Sequence, residues 1–450
     1  MHRDLHGLAV SAASDAAVRA FDHAMLGYFG YRADVAERLK AVLSEDPGFG
    51  LAHCLKGYLI MLGYNRAALT GAWAAAEDAR RLTAQATRRE QVHVAALEAW
   101  VAGHPDRAVA IWDGILAEHP RDVLAFRLAH FVNFWRGRPD LMLASVLTVE
   151  PLWSETLPAW GSLLACRCFA LEECGSYTAA EAAGRAAIDH DPGDLWAAHG
   201  VAHVLEMQGR RGEGIAWVSQ LRRHWDGANN LRHHLWWHAA MFHLERGDTD
   251  QVLALYDAEV RNLASPLTLS QPDLYIDMQN AASMLFRLQL RGVAVGNRWA
   301  ELADKAEARI GDCLSAFTLP HWMMALAATG RHAAARRLIA TMQSAGDEDA
   351  AAAEVVRRYA LPVSEAVLAH AQGKYVHAVA VMRPALGGMY RLGGSHAQQD
   401  VLEQLFLDSA VKADLPDDVR LLLERVAGRR PVPPGRRAGY AEAARAYGFA

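Results

Sequence analysis

Charge bias is absent from this sequence: 46 basic and 51 acidic side chains among 450 residues leave a net charge of −5, interspersed rather than blocked. A nucleic-acid binder needs a basic patch or stripe, so that partner class is excluded. Cysteine is scarce too, with Cys54, Cys166, Cys168, Cys174 and Cys313 forming no CxxC pair. Five cysteines so placed make neither a disulfide framework nor a zinc knuckle; they read as small buried hydrophobes in a reducing compartment. No run of about 18 uncharged apolar residues occurs, which removes a membrane-spanning helix. The opening MHRDLHGLAVSAASD lacks the apolar core of a secretion signal, so the expected location is cytoplasmic. Walker, GxSxG and HExxH patterns are missing as well, leaving no support for a P-loop, a hydrolase elbow or a zincin. No stretch shows the alternation of a half-buried strand, and no sheet is expected.

What the sequence does have is apolar content and a period. Hydrophobic residues make up 52% and charged ones 22%, enough to bury a substantial core. A glycine, a small polar turn and an alanine-rich stretch recur at Gly103, Gly137, Gly175, Gly209 and Gly247, spaced 34, 38, 34 and 38 residues apart. That is the tetratricopeptide period with short insertions. In the copy from Gly175, Ala180, Ala187 and Pro192 stand five, twelve and seventeen residues on; from Gly103 the same offsets give Ala108, Ile115 and Pro120. Glycine permits the tight turn, a small residue lets two helices approach, and proline ends the second helix. Gly330 and Gly373 open looser copies.

The expected architecture is all-α: a helix-pair solenoid wound into a closed or strongly curved superhelix. One helical-repeat domain spans 1–450, with capping helices over 1–90, regular repeats over 91–262, divergent repeats over 263–427 and a tail at 428–450. SPLTLSQP at 265–272 reads as loop, a strong helix follows from about Leu274 to Leu290, and SAGDEDAAAAE near 344–354 and GRRPVPPGRRAGY near 428–440 are linker-like.

FDHAMLGYFGYRAD, AAHGVAHVLEMQGR, HHLWWHAAMFHLERGD and LGGSHAQQD together resemble the long, full-length tetratricopeptide family typified by human tetratricopeptide repeat protein thirty-eight. The similarity extends over nearly the whole chain. It implies an all-helical repeat fold that closes on itself more than an open scaffold does, and it carries no particular reaction.

Candidate chemistry gathers on a few stripes. In a tetratricopeptide unit the residues ten, six and three before the turn glycine line the concave groove; counted from Gly209 these are His199, His203 and Glu206, with Trp196 a turn earlier. The next unit adds His234, Trp237 and His238. Phe131, Phe134 and Phe169 hold further groove positions, and the other tryptophans read as helix packing. His199, His203 and Glu206, with one more ligand, suit zinc or iron(II). The 274–290 helix carries Asp277, which could orient a histidine, Asn280, and Arg287, which could clamp a carboxylate. In GGMYRLGGSHAQQD a glycine loop meets Ser395, an N-cap with a capping box to Gln398, so the helix start could take an anion beside His396 with Ser395 and Gln399 in contact.

Two functions remain open. One is a His-rich pocket for a small polar or anionic metabolite, an enzyme in which His199, His203, Glu206, His396 and Asp277 carry acid–base or metal chemistry and Trp196, His234, Trp237, His238, Asn280, Arg287, Ser395 and Gln399 bind the ligand. The other is a non-catalytic scaffold holding a partner peptide. Groove positions filled by His, Trp, Glu and Phe instead of Lys, Arg and Asn favour the pocket. Nucleic acid and membrane are not expected partners, and apolar solenoid faces are compatible with a homo-oligomer.

Overall fold

All seven turn glycines, Gly103, Gly137, Gly175, Gly209, Gly247, Gly330 and Gly373, stand at φ between 65 and 85°, where an L side chain is strained. Each joins two helices into a hairpin, as Gly103 joins Arg88–Val101 to Pro105–Glu118 and Gly175 joins Trp160–Glu173 to Tyr177–His190. The second helices stop where the sequence places proline: Pro105–Glu118 ends before Pro120 and Tyr177–His190 before Pro192. The offset alanines Ala108 and Ala180 are wholly buried between helices.

The computed structural model describes residues 2–345 and 351–449. They are all-α apart from one two-residue antiparallel pair, His2–Arg3 with Ala9–Val10, that the lack of alternation gave no reason to expect, and an isolated bridge between Arg32 and Ala228. No described helix is long and apolar enough to cross a membrane. Two compact units arise, one from Met1–Val201 with Arg223–Leu231, the other from Ala202–Arg222 with Arg232–Ala450. The helix Leu195–Met207 runs without interruption through the first boundary.

In the first unit the cores of successive hairpins merge through Trp112, Phe126, Phe169 and Leu97, all fully buried. In the second, an added Cβ at Gly214 would fall 2.3 Å from the Phe242 ring, so glycine is what lets Arg211–Leu221 come against Leu231–Arg246. The strong helix expected near 274–290 is Tyr275–Leu290, buried over most of its length.

Several local expectations change. The stretch 265–272 contains a short helix, Pro266–Ser270, started by its proline. Residues 346–350 of the linker-like 344–354 segment lie outside the described residues, and Ala351–Val355 after them is helical. Pro-Arg-Gly composition at 428–440 suggested a free linker, but Tyr440 is 1% and Arg437 5% exposed, for reasons given below. Trp73, read as helix packing, is 48% exposed. None of the cysteines is in a disulfide; Cys54, Cys166 and Cys168 are buried as small hydrophobes, whereas Cys174 caps the end of a helix and is exposed and Cys313 is half-buried.

Candidate metal and ligand site

Within the second unit, helical spacing aims one set of side chains at another. His203 and Glu206 lie three apart on Leu195–Met207, and His234 and His238 four apart on Leu231–Arg246 with Trp237 between them. The His203 and His238 rings have centroids 4.5 Å apart and those of His234 and His238 4.8 Å apart. His203, His234 and His238 each offer a ring nitrogen within 4.8 Å of the others, and all three are buried. His199, one turn before His203 on the same helix, brings a ring nitrogen within that distance of His203. His203, His234 and His238 could hold a metal ion.

Two of the rings are held from behind. Glu206 Oε2 lies 2.8 Å from His238 Nδ1, and Asn280 Oδ1 2.9 Å from His234 Nδ1. Both partners accept, so Nδ1 of each imidazole carries the proton and Nε2 carries the lone pair. This is how protein metal sites fix ligand tautomer and ring direction. Glu206, expected as a ligand, instead meets His238 from behind, and the residues whose atoms group as a metal site would are the histidines, His234 and His238 among them. Asp277, expected to orient a histidine, is buried, and its charge also reaches Arg261, which is paired with Glu301 at 2.8 Å.

Burial lowers the His203 pKa well below its ordinary value, and the charges His238, His234, His396 and Arg430 would carry push the same way. His234 is lowered chiefly by burial and then by His238, against the Asn280 bond. Both are neutral at physiological pH, the form a metal requires.

Three buried donors border the cluster. Trp237 stacks on His234 at 5.2 Å and 9°, and the Arg287 guanidinium lies 5.7 Å above the Trp237 ring. Arg287 is fully buried, donates from Nη2 to Ala397 O at 2.9 Å, and has its pKa pulled down to about 10 by burial, with Asp400 and Glu206 opposing. Trp237 Nε1, Asn280 Nδ2 and Arg287 Nε each lack a hydrogen-bond partner among the described residues. Buried donors are normally satisfied, so this concentration beside one imidazole cluster calls for acceptor atoms from elsewhere.

The loop expected to cradle an anion is occupied by its own hydrogen bonds. Ser395 Oγ accepts from Gln398 N at 3.2 Å, Gln398 Oε1 accepts from Ser395 N at 3.0 Å, and Gln399 Nε2 donates to the carbonyls of Gly393 and Gly394 at 3.1 Å. Ser395 and Gln399 thus shape the entry to His396–Lys412, and His396 stands at its first position. Arg430 donates to His396 O at 2.6 Å, which ties the tail to this helix start.

The site residues that sequence reasoning missed are Asp400 and the tail cations. Asp400 is 2% exposed and meets Arg437, Arg430 at 3.4 Å, Arg287 at 3.8 Å and the Tyr440 hydroxyl at 2.7 Å. Burial alone would raise its pKa; Arg437, Arg430 and Arg287 hold it far below the carboxylate range. The one sequence signal was the acid ending LGGSHAQQD with the doubled arginines of GRRPVPPGRR.

In the first unit, Trp196 and His199 join an aromatic cluster. Their rings lie 4.7 Å apart, Phe169 packs 4.7 and 5.0 Å from them, and Tyr31 stacks on Trp196 at 5.8 Å. Asp194 caps the shared helix, accepting from Trp196 N and Ala197 N at 2.9 Å.

Neutral buried histidines make stability pH-dependent. A lowered folded-state pKa means the unfolded chain binds more protons, so stability is present above about pH 6.5 and lost as pH falls toward the folded value. His321, lowered to about 4 by burial and fully enclosed, alone withdraws about 2 kcal/mol by pH 5 on this count. The urea midpoint is expected to be level between pH 7 and 8 and to fall steadily below 6.5; a midpoint unchanged at pH 5 contradicts neutral histidines in the core.

No protein-family model matches the chain.

Proposed function

We propose that the chain is a metal-dependent enzyme that binds zinc or iron(II) through His203, His234 and His238, with His199 beside His203, and acts on a small anionic metabolite next to the metal. The observation that carries this reading is the pair of imidazoles whose Nδ1 protons are taken by Glu206 and Asn280, in a cluster with His203 whose ligand atoms lie within 4.8 Å of one another. Arg287 Nε, Asn280 Nδ2 and Trp237 Nε1 would supply hydrogen bonds to the acceptor oxygens of the metabolite, and Trp237 would form an apolar wall. A bound divalent ion would act as Lewis acid or activate water. His396, whose charge reaches His203, is the nearby group for proton transfer.

The scaffold alternative requires side chains that an incoming peptide can touch, but His203 and His238 are 0% exposed and His234 2%. Burial supports a small ligand. We infer further that each unit is a tetratricopeptide-like array, a reading supported by the glycine period and the positive φ shared by all seven turns.

The test is Glu206→Gln. Loss of an orienting carboxylate behind a ligand histidine weakens metal binding about 10- to 100-fold, read as zinc affinity in competition with a chromophoric chelator. Equal affinity of the variant and the parent would remove His238 from the metal.

A further inference from the structure

A separate cluster of charged groups lies in the first unit and owes nothing to the histidine site. Residues 2–10 fold back on themselves around Asp4, whose Oδ1 accepts from His6 N at 3.0 Å and Leu8 N at 2.8 Å. Asp22, on the helix Asp15–Phe29, accepts from Leu5 N at 3.1 Å through Oδ1. Arg89 donates to Asp122 at 2.6 Å and to Ala9 O at 3.1 Å, and lies 3.8 Å from Asp4; His93 Nε2 lies 3.0 Å from Asp122. Asp4, His6, Asp22, Arg89 and Asp122 line a cleft enclosing about 290 Å³ of empty space, part of it open to solvent. Its interior admits a group the size of a water molecule or an ammonium ion.

The charges in this cleft do not balance. Three carboxylates face one guanidinium, and Asp122 is already engaged by Arg89 and His93. Burial raises Asp22 to about 6, with Asp4 adding to the rise; it raises Asp4 as well, against the Leu8 N–H and Arg89. His6 is 7% exposed and its Nε2 has no hydrogen-bond partner. Burial lowers its pKa and keeps it neutral, against Asp4, Asp122 and the Pro158 carbonyl, so its ring can accept. Asp4, Asp22 and His6 thus each bring an acceptor to the wall of this one cleft. A primary ammonium has three donors and the missing positive charge.

We propose that this cleft is a second ligand site that takes the primary ammonium group of a small amine, held by Asp4, Asp22 and His6. The experiment uses the full chain with methylammonium chloride, against potassium chloride at equal ionic strength and tetramethylammonium chloride, which cannot donate. His6 is followed by its imidazole proton–nitrogen correlations, identified by their loss in His6→Gln, and binding also by the thermal midpoint. Methylammonium alone should shift the His6 ring signals saturably and raise the midpoint by about 2 °C, a gain expected of a ligand well above its Kd. Asp22→Asn, an isosteric change at a half-buried position, should fold with an equal or higher midpoint and lose the saturable response. An equal response to potassium makes this a general cation site and overturns the proposal. So does a His6 signal indifferent to every salt, which leaves only water in the cleft, or a full response in Asp22→Asn.

Discussion

Protein produced in zinc- and iron-replete medium, without affinity tag or chelator, is expected to carry about one equivalent of metal, and His203→Ala to carry at least about ten-fold less. The size of the loss follows from what His203 contributes. In the proposed site it is the central ligand from Leu195–Met207, while His234 and His238 come from one face of Leu231–Arg246. Two imidazoles from a single helix turn bind a metal weakly; the third, from another helix, completes the chelate. His203→Ala strands no carboxylate, because Glu206 bonds His238 instead. The folded state should therefore survive with a loss of roughly 1–3 kcal/mol from the small cavity. Elemental analysis and circular dichroism on the same samples separate the two effects. Parent protein with less than about a tenth of an equivalent, after incubation with excess zinc and gel filtration, would retire the metal.

The second large effect concerns Asp400. Asp400→Asn keeps the volume and removes the charge, leaving Arg437, Arg430 and Arg287 facing one another in a buried space. Breaking a buried ion pair from one side costs about 3–5 kcal/mol, since the partner charge stays desolvated. The Tyr440 hydroxyl at 2.7 Å and Gln404 Nε2 at 2.6 Å also lose an ionised acceptor. Trypsin reports where the damage falls: cleavage after Arg436 and Arg437 should become fast in the variant while the helical repeats stay resistant. Tyr440→Phe is the control, expected to cost about 1.5–3 kcal/mol, the worth of one hydrogen bond to a charged group. If Asp400→Asn unfolds within about half a kcal/mol of the parent, the tail is not held by this network.

The repeat and its turns were legible because their causes are local. A glycine that must take positive φ, an alanine at a close approach and a proline at a helix end each act within a few residues, so their spacing carries the fold. The histidine stripe was legible for the same reason: His199, His203 and Glu206 share a face by helical geometry alone. Their roles were not. That Glu206 turns to His238 and Asn280 to His234 depends on how three helices meet, and spacing within one helix does not contain that. The tail failed most plainly. Its proline, glycine and arginine composition is that of a linker; what orders it is one carboxylate about thirty residues earlier, invisible to any local window. The cleft at Asp4 escaped likewise, because its walls come from residues 4, 22, 89 and 122.

That dependence on Asp400 also sets an order in time. His203 and His238 emerge from the ribosome some two hundred residues before Arg430, the cation that touches both His396 and Asp400 and whose charge reaches His203. Through most of synthesis His203 therefore exists without the positive charge that Arg430 sets against its protonation. A nascent chain arrested before Arg430 should already hold folded hairpins in its early repeats, yet leave Asp400 without Arg430 and Arg437 and the start of the helix His396–Lys412 untied.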